Sequence, residues 1–353
     1  MSKTADKVLK DWGDLYDYGK VKKRGGSKNA RSGPARPAPT KTKAPATREI
    51  LARTVNKAPE VMVKISGGGK NMRQIKAHMD YISRNGKVEL EDENAQTYLG
   101  KEDVRDVRDA WAKGRIRIPE HGESRKEAFN IVLSMPPGTD RQAVKDAARA
   151  FAATEFDNHQ YVFAAHDDEK HPHVHLTVKA IDKNGVRLNP RKADLQRWRE
   201  QFAEKLRQQG IEANATPRRV RGVVRKPEKQ VVRQIERRGA KPRTKVAQRA
   251  DAELEAVGKG VHVNPAKSSI QKSRKNTHQA YGRVARALAA GDSDDKRLAL
   301  DIVNFIKQLP PPLTQHDELV QQLKKQKTTN RSSEKTKPTQ QRNVPGDELD
   351  KSH

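Results

Sequence analysis

The stretch His166-Asp167-Asp168-Glu169-Lys170-His171-Pro172-His173-Val174-His175-Leu176-Thr177-Val178 places four histidines within ten positions. Its second half alternates: on an extended chain His173 and His175 share one face, while Val174, Leu176, Val178 and Ala180 share the other. The upstream run Tyr161-Val162-Phe163-Ala164-Ala165-His166 also reads as a strand, and the short polar linker ending in Pro172 makes a hairpin the economical connection. In that pairing His166 falls opposite His173 and Ala164 opposite His175, so three imidazoles converge on one face. Such a trio suits a divalent ion with coordination positions left open for a ligand such as phosphate. Asp168 is close enough in sequence to orient a liganding ring nitrogen. The competing reading is a solvated histidine-rich turn, which has no need of the apolar opposite face.

Working outward, Val61-Met62-Val63-Lys64-Ile65 reads as a strand, followed by Ser66-Gly67-Gly68-Gly69-Lys70 and a helix to about Arg84. Met72, Ile75, Met79 and Ile82 recur at helical spacing and define its core face. Tyr81 lies off that stripe, on the flank of Gln74 and His78. Ala128-Phe129-Asn130-Ile131-Val132-Leu133-Ser134 alternates as a strand and stops at Met135-Pro136-Pro137-Gly138. Thr139 with Gln142 then reads as the capping box of a helix whose Val144, Ala148, Phe151 and Ala152 face inward. Asn189-Pro190 opens another helix, with Leu195, Trp198, Phe202 and Leu206 on one side and Gly210 at its end. Strands linked through helices, plus one hairpin, predict an α+β fold: a central, mostly antiparallel sheet covered by helices.

The 353 residues are 33% hydrophobic, 4% aromatic and 33% charged, which fits one compact core with long solvated arms. Residues 1–58 read as a basic disordered arm and 59–226 as the folded domain. Residues 227–310 read as a basic region with helices near 228–238, 246–257, 276–290 and 295–308, and 311–353 as a disordered tail. A net charge of +28 exceeds what solubility requires and points to a polyanionic partner bound in a salt-dependent way. No apolar stretch reaches spanning length, and Met1-Ser2-Lys3-Thr4-Ala5-Asp6-Lys7 lacks the apolar core of a secretory signal, so a cytosolic start is expected. The absence of cysteine excludes disulfides, thiol catalysis and cysteine-ligated zinc.

A divalent ion held by neutral imidazoles in a strongly basic protein suggests phosphoryl chemistry. The nucleophile is then a water on the ion, a serine or a tyrosine. A tyrosine, with a pKa near about 10, requires roughly 4 kcal/mol from its surroundings to stay ionised near neutrality. A metal and a basic site can contribute that.

Three blocks, in order, resemble the relaxases of the MobA/VirD type, the single-tyrosine, P-type mobilisation group of HUH endonucleases. Lys64-Ile65-Ser66-Gly67-Gly68-Gly69-Lys70 with His78-Met79-Asp80-Tyr81-Ile82-Ser83-Arg84-Asn85-Gly86 resembles the family's tyrosine motif. Leu133-Ser134-Met135-Pro136-Pro137-Gly138-Thr139 resembles its serine motif, and His166-x-Asp168 through His173-x-His175 its metal motif. The likeness covers about residues 60–226. It implies an HUH relaxase domain with a ferredoxin-like palm that nicks one strand at a plasmid or mobile-element transfer origin during bacterial conjugation. Tyr81 is then the nucleophile that forms a 5′-phosphotyrosyl link, and His166, His173 and His175 hold Mg²⁺ or Mn²⁺. Asp168 orients a ligand, and Ser134 helps position DNA near the nick.

The implied partners are single-stranded transfer-origin DNA, relaxosome accessory proteins and a type IV secretion coupling protein. The implied location is the cytoplasm, with translocation alongside the DNA. Lys70, Arg84, Arg218, Arg219, Arg221, Arg225 and Lys226 are the basic residues assigned to DNA. The Gly67–Gly69 run lacks the spacing and hydroxyl of a nucleotide-binding loop. Two other readings exist. His171-x-His173-x-His175 mimics the triad of HIT nucleotide hydrolases, which leaves Tyr81 and Asp168 unexplained, and a non-catalytic DNA-binding protein of the same fold has no use for the intact set.

Overall fold

The alternating runs pair with one another. In a computed structural model, β1 (Met62–Gly67), β2 (Leu90–Asp92), β3 (Thr97–Tyr98), β4 (Ala128–Ser134), β5 (Tyr161–His166) and β6 (His173–Lys179) form one antiparallel sheet in the order β1-β4-β6-β5-β2-β3. The structure describes residues 3–13, 44–114, 116–121, 124–223 and 228–335. The β5–β6 hairpin sets His166 opposite His173 and Ala164 opposite His175, the register expected from its short polar turn. On the other side of β6, Ser134 lies opposite His173 and Val132 opposite His175.

Period-two alternation gives the sheet two different faces. Ile131, Leu133, Phe163, Val174, Leu176 and Val178 point to α5 (Arg141–Glu155) and α6 (Lys192–Gln208). There they meet Val144, Phe151, Phe156, Trp198, Phe202 and Leu206, all buried. Burial of each such side chain contributes about 1.5–3 kcal/mol, which makes this layer the principal core. The opposite face is covered by α3 (Met72–Ile82) and α4 (Lys101–Lys113). Met72, Ile75, Met79 and Ile82 of the first and Val104, Val107 and Trp111 of the second pack on Ala128, Val162 and Ala164. Because α3 buries that stripe, its flank carries Tyr81 beside the histidine face.

The helix starts refine the sequence reading. Asn71 caps α3 by accepting from the Gln74 amide at 3.0 Å. Asp140, not Thr139, caps α5, accepting from the Ala143 amide at 2.9 Å. The Thr139 hydroxyl instead donates to the Pro136 carbonyl at 2.9 Å within the proline turn. The cap of α6 is Arg191 rather than Asn189, with Asp194 accepting from the Arg191 amide at 2.6 Å.

The arm expected over 1–58 is corrected in two places, where α1 (Lys3–Gly13) and α2 (Ala44–Val55) are helical. Leu9, Trp12, Leu51 and Val55 find apolar partners far along the chain: Tyr281, Val284 and Leu288 of α9 (Lys267–Ala289), and Ile302 and Phe305 of α10 (Ser293–Gln308). Trp12 and Tyr281 have ring centroids 5.5 Å apart, and Arg48 pairs with the buried Asp295 at 2.7 Å. Residues 14–43 lie outside the described residues.

Two compact units result: Met1–Arg221 with Thr277–Leu309, and Gly222–Asn276 with Pro310–His353. The first therefore takes in Thr277–Leu309 from the region read as a separate basic segment. The second holds α7 (Gln230–Arg237), α8 (Arg243–Ala256) and α11 (Gln315–Lys335), with Ala252, Val320 and Leu323 buried together. Helix α11 corrects the disordered tail expected from 311, and residues 336–353 lie outside the described ones. No described helix is long and apolar enough to cross a membrane.

Candidate active site

Strand β6 starts with His173 and His175 on its open face, and β5 ends in His166. Their ring nitrogens include three, one from each residue, within 4.8 Å of one another. Ring centroids are 4.5 Å apart for His166 and His175, 5.2 Å for His166 and His173, and 5.1 Å for His173 and His175. Backbone carbonyls fix two of the tautomers. His166 Nε2 donates to the Ile82 carbonyl at 2.7 Å, leaving the lone pair on Nδ1. His173 Nδ1 donates to the His171 carbonyl at 3.0 Å, leaving the lone pair on Nε2. Nδ1 of His175 is buried with no hydrogen-bond partner in the structure.

Burial, reinforced by His166, His173 and His78, pushes the His175 ring down to about 3, and burial likewise lowers His166. The two rings are therefore neutral near pH 7. Together with the orphaned nitrogen of His175, this donor set fits a divalent cation with imidazole ligands. His171 is exposed on the turn, its Nδ1 3.4 Å from the Met135 carbonyl, and takes no part in the trio.

Tyr81 arrives from α3. Its ring is 53% exposed, with its centroid 5.7 Å from that of His175 and 6.4 Å from that of His166. His78, one turn earlier, stacks on it at 5.9 Å, and burial pushes the His78 ring down to about 4. The helix ends in three residues with positive φ, Arg84 at 52°, Asn85 at 57° and Gly86 at 85°. A side chain at Gly86 would meet the Gly100 backbone at 2.5 Å, so the tight return requires glycine there. The turn folds Arg84 back over the site, its guanidinium 4.9 Å from the Tyr81 ring centroid.

Asp168 departs from its expected role. Its Oδ2 accepts from Arg84 at 2.5 Å, and that guanidinium holds the carboxyl below the usual carboxylate range. The Ile82 and His171 carbonyls, at 2.7 and 3.0 Å, are the groups that accept from the His166 and His173 rings. Ser134 is buried, and its hydroxyl donates to the Met135 carbonyl at 3.4 Å, turned into the chain rather than toward solvent. Lys70, Arg218 and Arg219 are exposed. Arg221 faces Glu60 at 3.4 Å as an ion pair, and Arg225 and Lys226 lie outside the described residues.

Arg141 was not among the residues singled out from the sequence. From the first turn of α5 it donates to the His166 carbonyl at 3.2 Å, to Asp167 Oδ1 at 3.3 Å and to the Glu169 carbonyl at 2.6 Å. It thereby clamps the turn between the histidines. No local pattern marks it, because its partners lie more than twenty residues away.

Residues 81–211 match the relaxase family described as "MobA/VirD2-like, nuclease domain". The matched stretch opens on Tyr81 and takes in the whole histidine hairpin and α6. Over 187 residues the chain is 28% identical to the T-DNA border endonuclease VirD2 of Rhizobium radiobacter, covering 48% of this chain and 44% of that protein. The protein of the same name from Rhizobium rhizogenes is also 28% identical, with 48% and 43% covered, and that of Agrobacterium fabrum is 27% identical, with 48% and 42% covered. The match thus spans less than half the length of these curated relatives.

Proposed function

We propose that this protein nicks one DNA strand at the transfer origin of a plasmid or other mobile element and keeps the cut end on Tyr81. The observation that carries this reading is the Tyr81 ring standing 5.7 Å from His175, beside ligand atoms gathered within 4.8 Å. One phosphodiester group fits between such a phenol and such a trio. The Tyr81 oxygen attacks phosphorus as the bond to the 3′-oxygen breaks. The products are a 5′-phosphotyrosyl end and a free 3′-hydroxyl, with the phenolic proton passing to solvent or to that oxygen. One ester replaces another, so the step is reversible and the strand can be resealed.

His166, His173 and His175 would hold Mg²⁺ or Mn²⁺, which supplies charge neutralisation at the non-bridging phosphate oxygens when bound. Half-exposure of Tyr81 leaves its oxygen open to a single strand, and the His78 ring stacked beneath it limits its rotamers. Lys70, Arg218 and Arg219, with Arg225 and Lys226, would follow the DNA backbone, in line with the net charge of +28. We further propose a cytoplasmic site of action in bacteria, relaxosome accessory proteins and a type IV secretion coupling protein as partners, and transfer with the DNA.

The test is nicking of supercoiled plasmid that carries DNA flanking the protein's own gene. Wild type should relax the plasmid in Mn²⁺ and remain attached to it, whereas Tyr81→Phe should do neither. Cleavage that persists in EDTA would favour the hydrolase reading instead.

A further inference from the structure

Arg84 occupies an unusual position. Three residues after the nucleophile, in a left-handed conformation that a side chain adopts only at a cost of about 1 kcal/mol, it packs its guanidinium among three groups of the site. Nη2 reaches Asp168 Oδ2 at 2.5 Å and His166 Nδ1 at 3.2 Å, and Nη1 donates to the Tyr81 carbonyl at 3.3 Å. An arginine is always a donor and always charged. The His166 ring donates its only proton, on Nε2, to the Ile82 carbonyl, so the nitrogen facing Arg84 is the one whose lone pair a cation would take.

We propose that Arg84 and the divalent cation are alternative partners of His166 Nδ1, so that entry of the ion hands the guanidinium over to the scissile phosphate. This inference rests on the relaxase reading and deepens it. A guanidinium and a divalent ion cannot share one lone pair, and at this separation in a partly desolvated site their repulsion is substantial. Asp168 relieves that repulsion by neutralising Arg84 while leaving it free to swing. Its carboxylate is half exposed, and the side chain of Arg84 is 31% exposed, so neither is locked in the core. The guanidinium lies over the Tyr81 ring, 4.9 Å from its centroid, within a side chain's swing of a phosphate joined to that tyrosine. A fork of N–H donors suits two non-bridging phosphate oxygens. Metal loading and phosphate capture are then coupled: the ion displaces the arginine, and the arginine meets the substrate.

The experiment is Mn²⁺ titration by calorimetry on the full chain, beside single-turnover cleavage of origin-strand oligonucleotides. Arg84→Gln should bind Mn²⁺ about tenfold more tightly than wild type yet cleave at least about tenfold more slowly. Tighter metal with slower cleavage is a combination that a merely misfolded site does not produce. Asp168→Asn, which leaves the arginine charge uncompensated, should bind Mn²⁺ more weakly than wild type. Equal or weaker Mn²⁺ binding by Arg84→Gln would overturn the proposal and leave the relaxase reading standing. Should Arg84→Gln fail to fold, unchanged Mn²⁺ affinity in Asp168→Asn would overturn it by itself. No Mn²⁺ binding in the wild type would remove both readings.

Discussion

The Tyr81 ring meets the His175 ring edge-on, with centroids 5.7 Å apart and planes at 89°. The two side chains come from different layers, one from α3 and the other from the β5–β6 hairpin. The proposed nucleophile and the proposed cation ligands can therefore be perturbed separately.

His173→Ala and His175→Ala each remove one of the three proposed ligands without touching α3. Mn²⁺ affinity should fall by more than about tenfold in both, and nicking with it. Binding of single-stranded DNA, which depends mostly on the basic surface, should stay within about threefold of wild type. Calorimetry and fluorescence anisotropy read the two quantities. Unaltered Mn²⁺ affinity in both variants would remove the ligand assignment.

Arg141→Ala frees the turn between the histidines by deleting three donated hydrogen bonds. The expected loss is about 1 kcal/mol of global stability, since the clamp is half exposed, together with a several-fold weaker Mn²⁺ site. Amide exchange should quicken over Asp167–Lys170 and not in α6. Wild-type exchange in that turn would contradict the clamp.

Lys179 is 2% exposed at the end of β6, donating to Gln160 Oε1 at 2.9 Å, and burial pushes its ammonium down from 10.5 to about 8. Between those two values the unfolded chain binds more protons than the folded one, so this residue makes stability rise with pH across that window. Below about pH 8 its full penalty applies. Lys179→Met should raise the unfolding free energy at pH 7 by about 1–2 kcal/mol, after allowing for the orphaned Gln160, and should remove the rise toward pH 10.5. Denaturant unfolding at pH 7 and pH 10 checks both. An unchanged pH dependence in the variant would contradict the assignment.

Strands β4, β5 and β6 are legible in the sequence because each buries one face and exposes the other, and the short turn after His166 leaves one workable register. The core stripe of α3 is legible for the same reason at helical spacing. Helices α1 and α2 are not, because Leu9, Trp12, Leu51 and Val55 join a cluster that includes Tyr281 and Ile302, more than two hundred positions away. Strands β2 and β3 are too short to display alternation. Within the site, the histidine trio follows from strand geometry. The placement of Arg84 depends on consecutive positive φ angles that composition does not reveal, and it is this turn that sets Arg84 against Asp168.

The central claim is a covalent bond between one phenolic oxygen and a DNA 5′-phosphate. Mass spectrometry of proteolytic fragments after reaction with origin-strand oligonucleotide and Mn²⁺ tests it most directly. The account predicts one modified peptide, containing Tyr81 and carrying the 5′-nucleotide, and no adduct with Tyr81→Phe although that variant still binds the strand. An adduct on another residue, or cleavage by Tyr81→Phe at the wild-type rate, would contradict it.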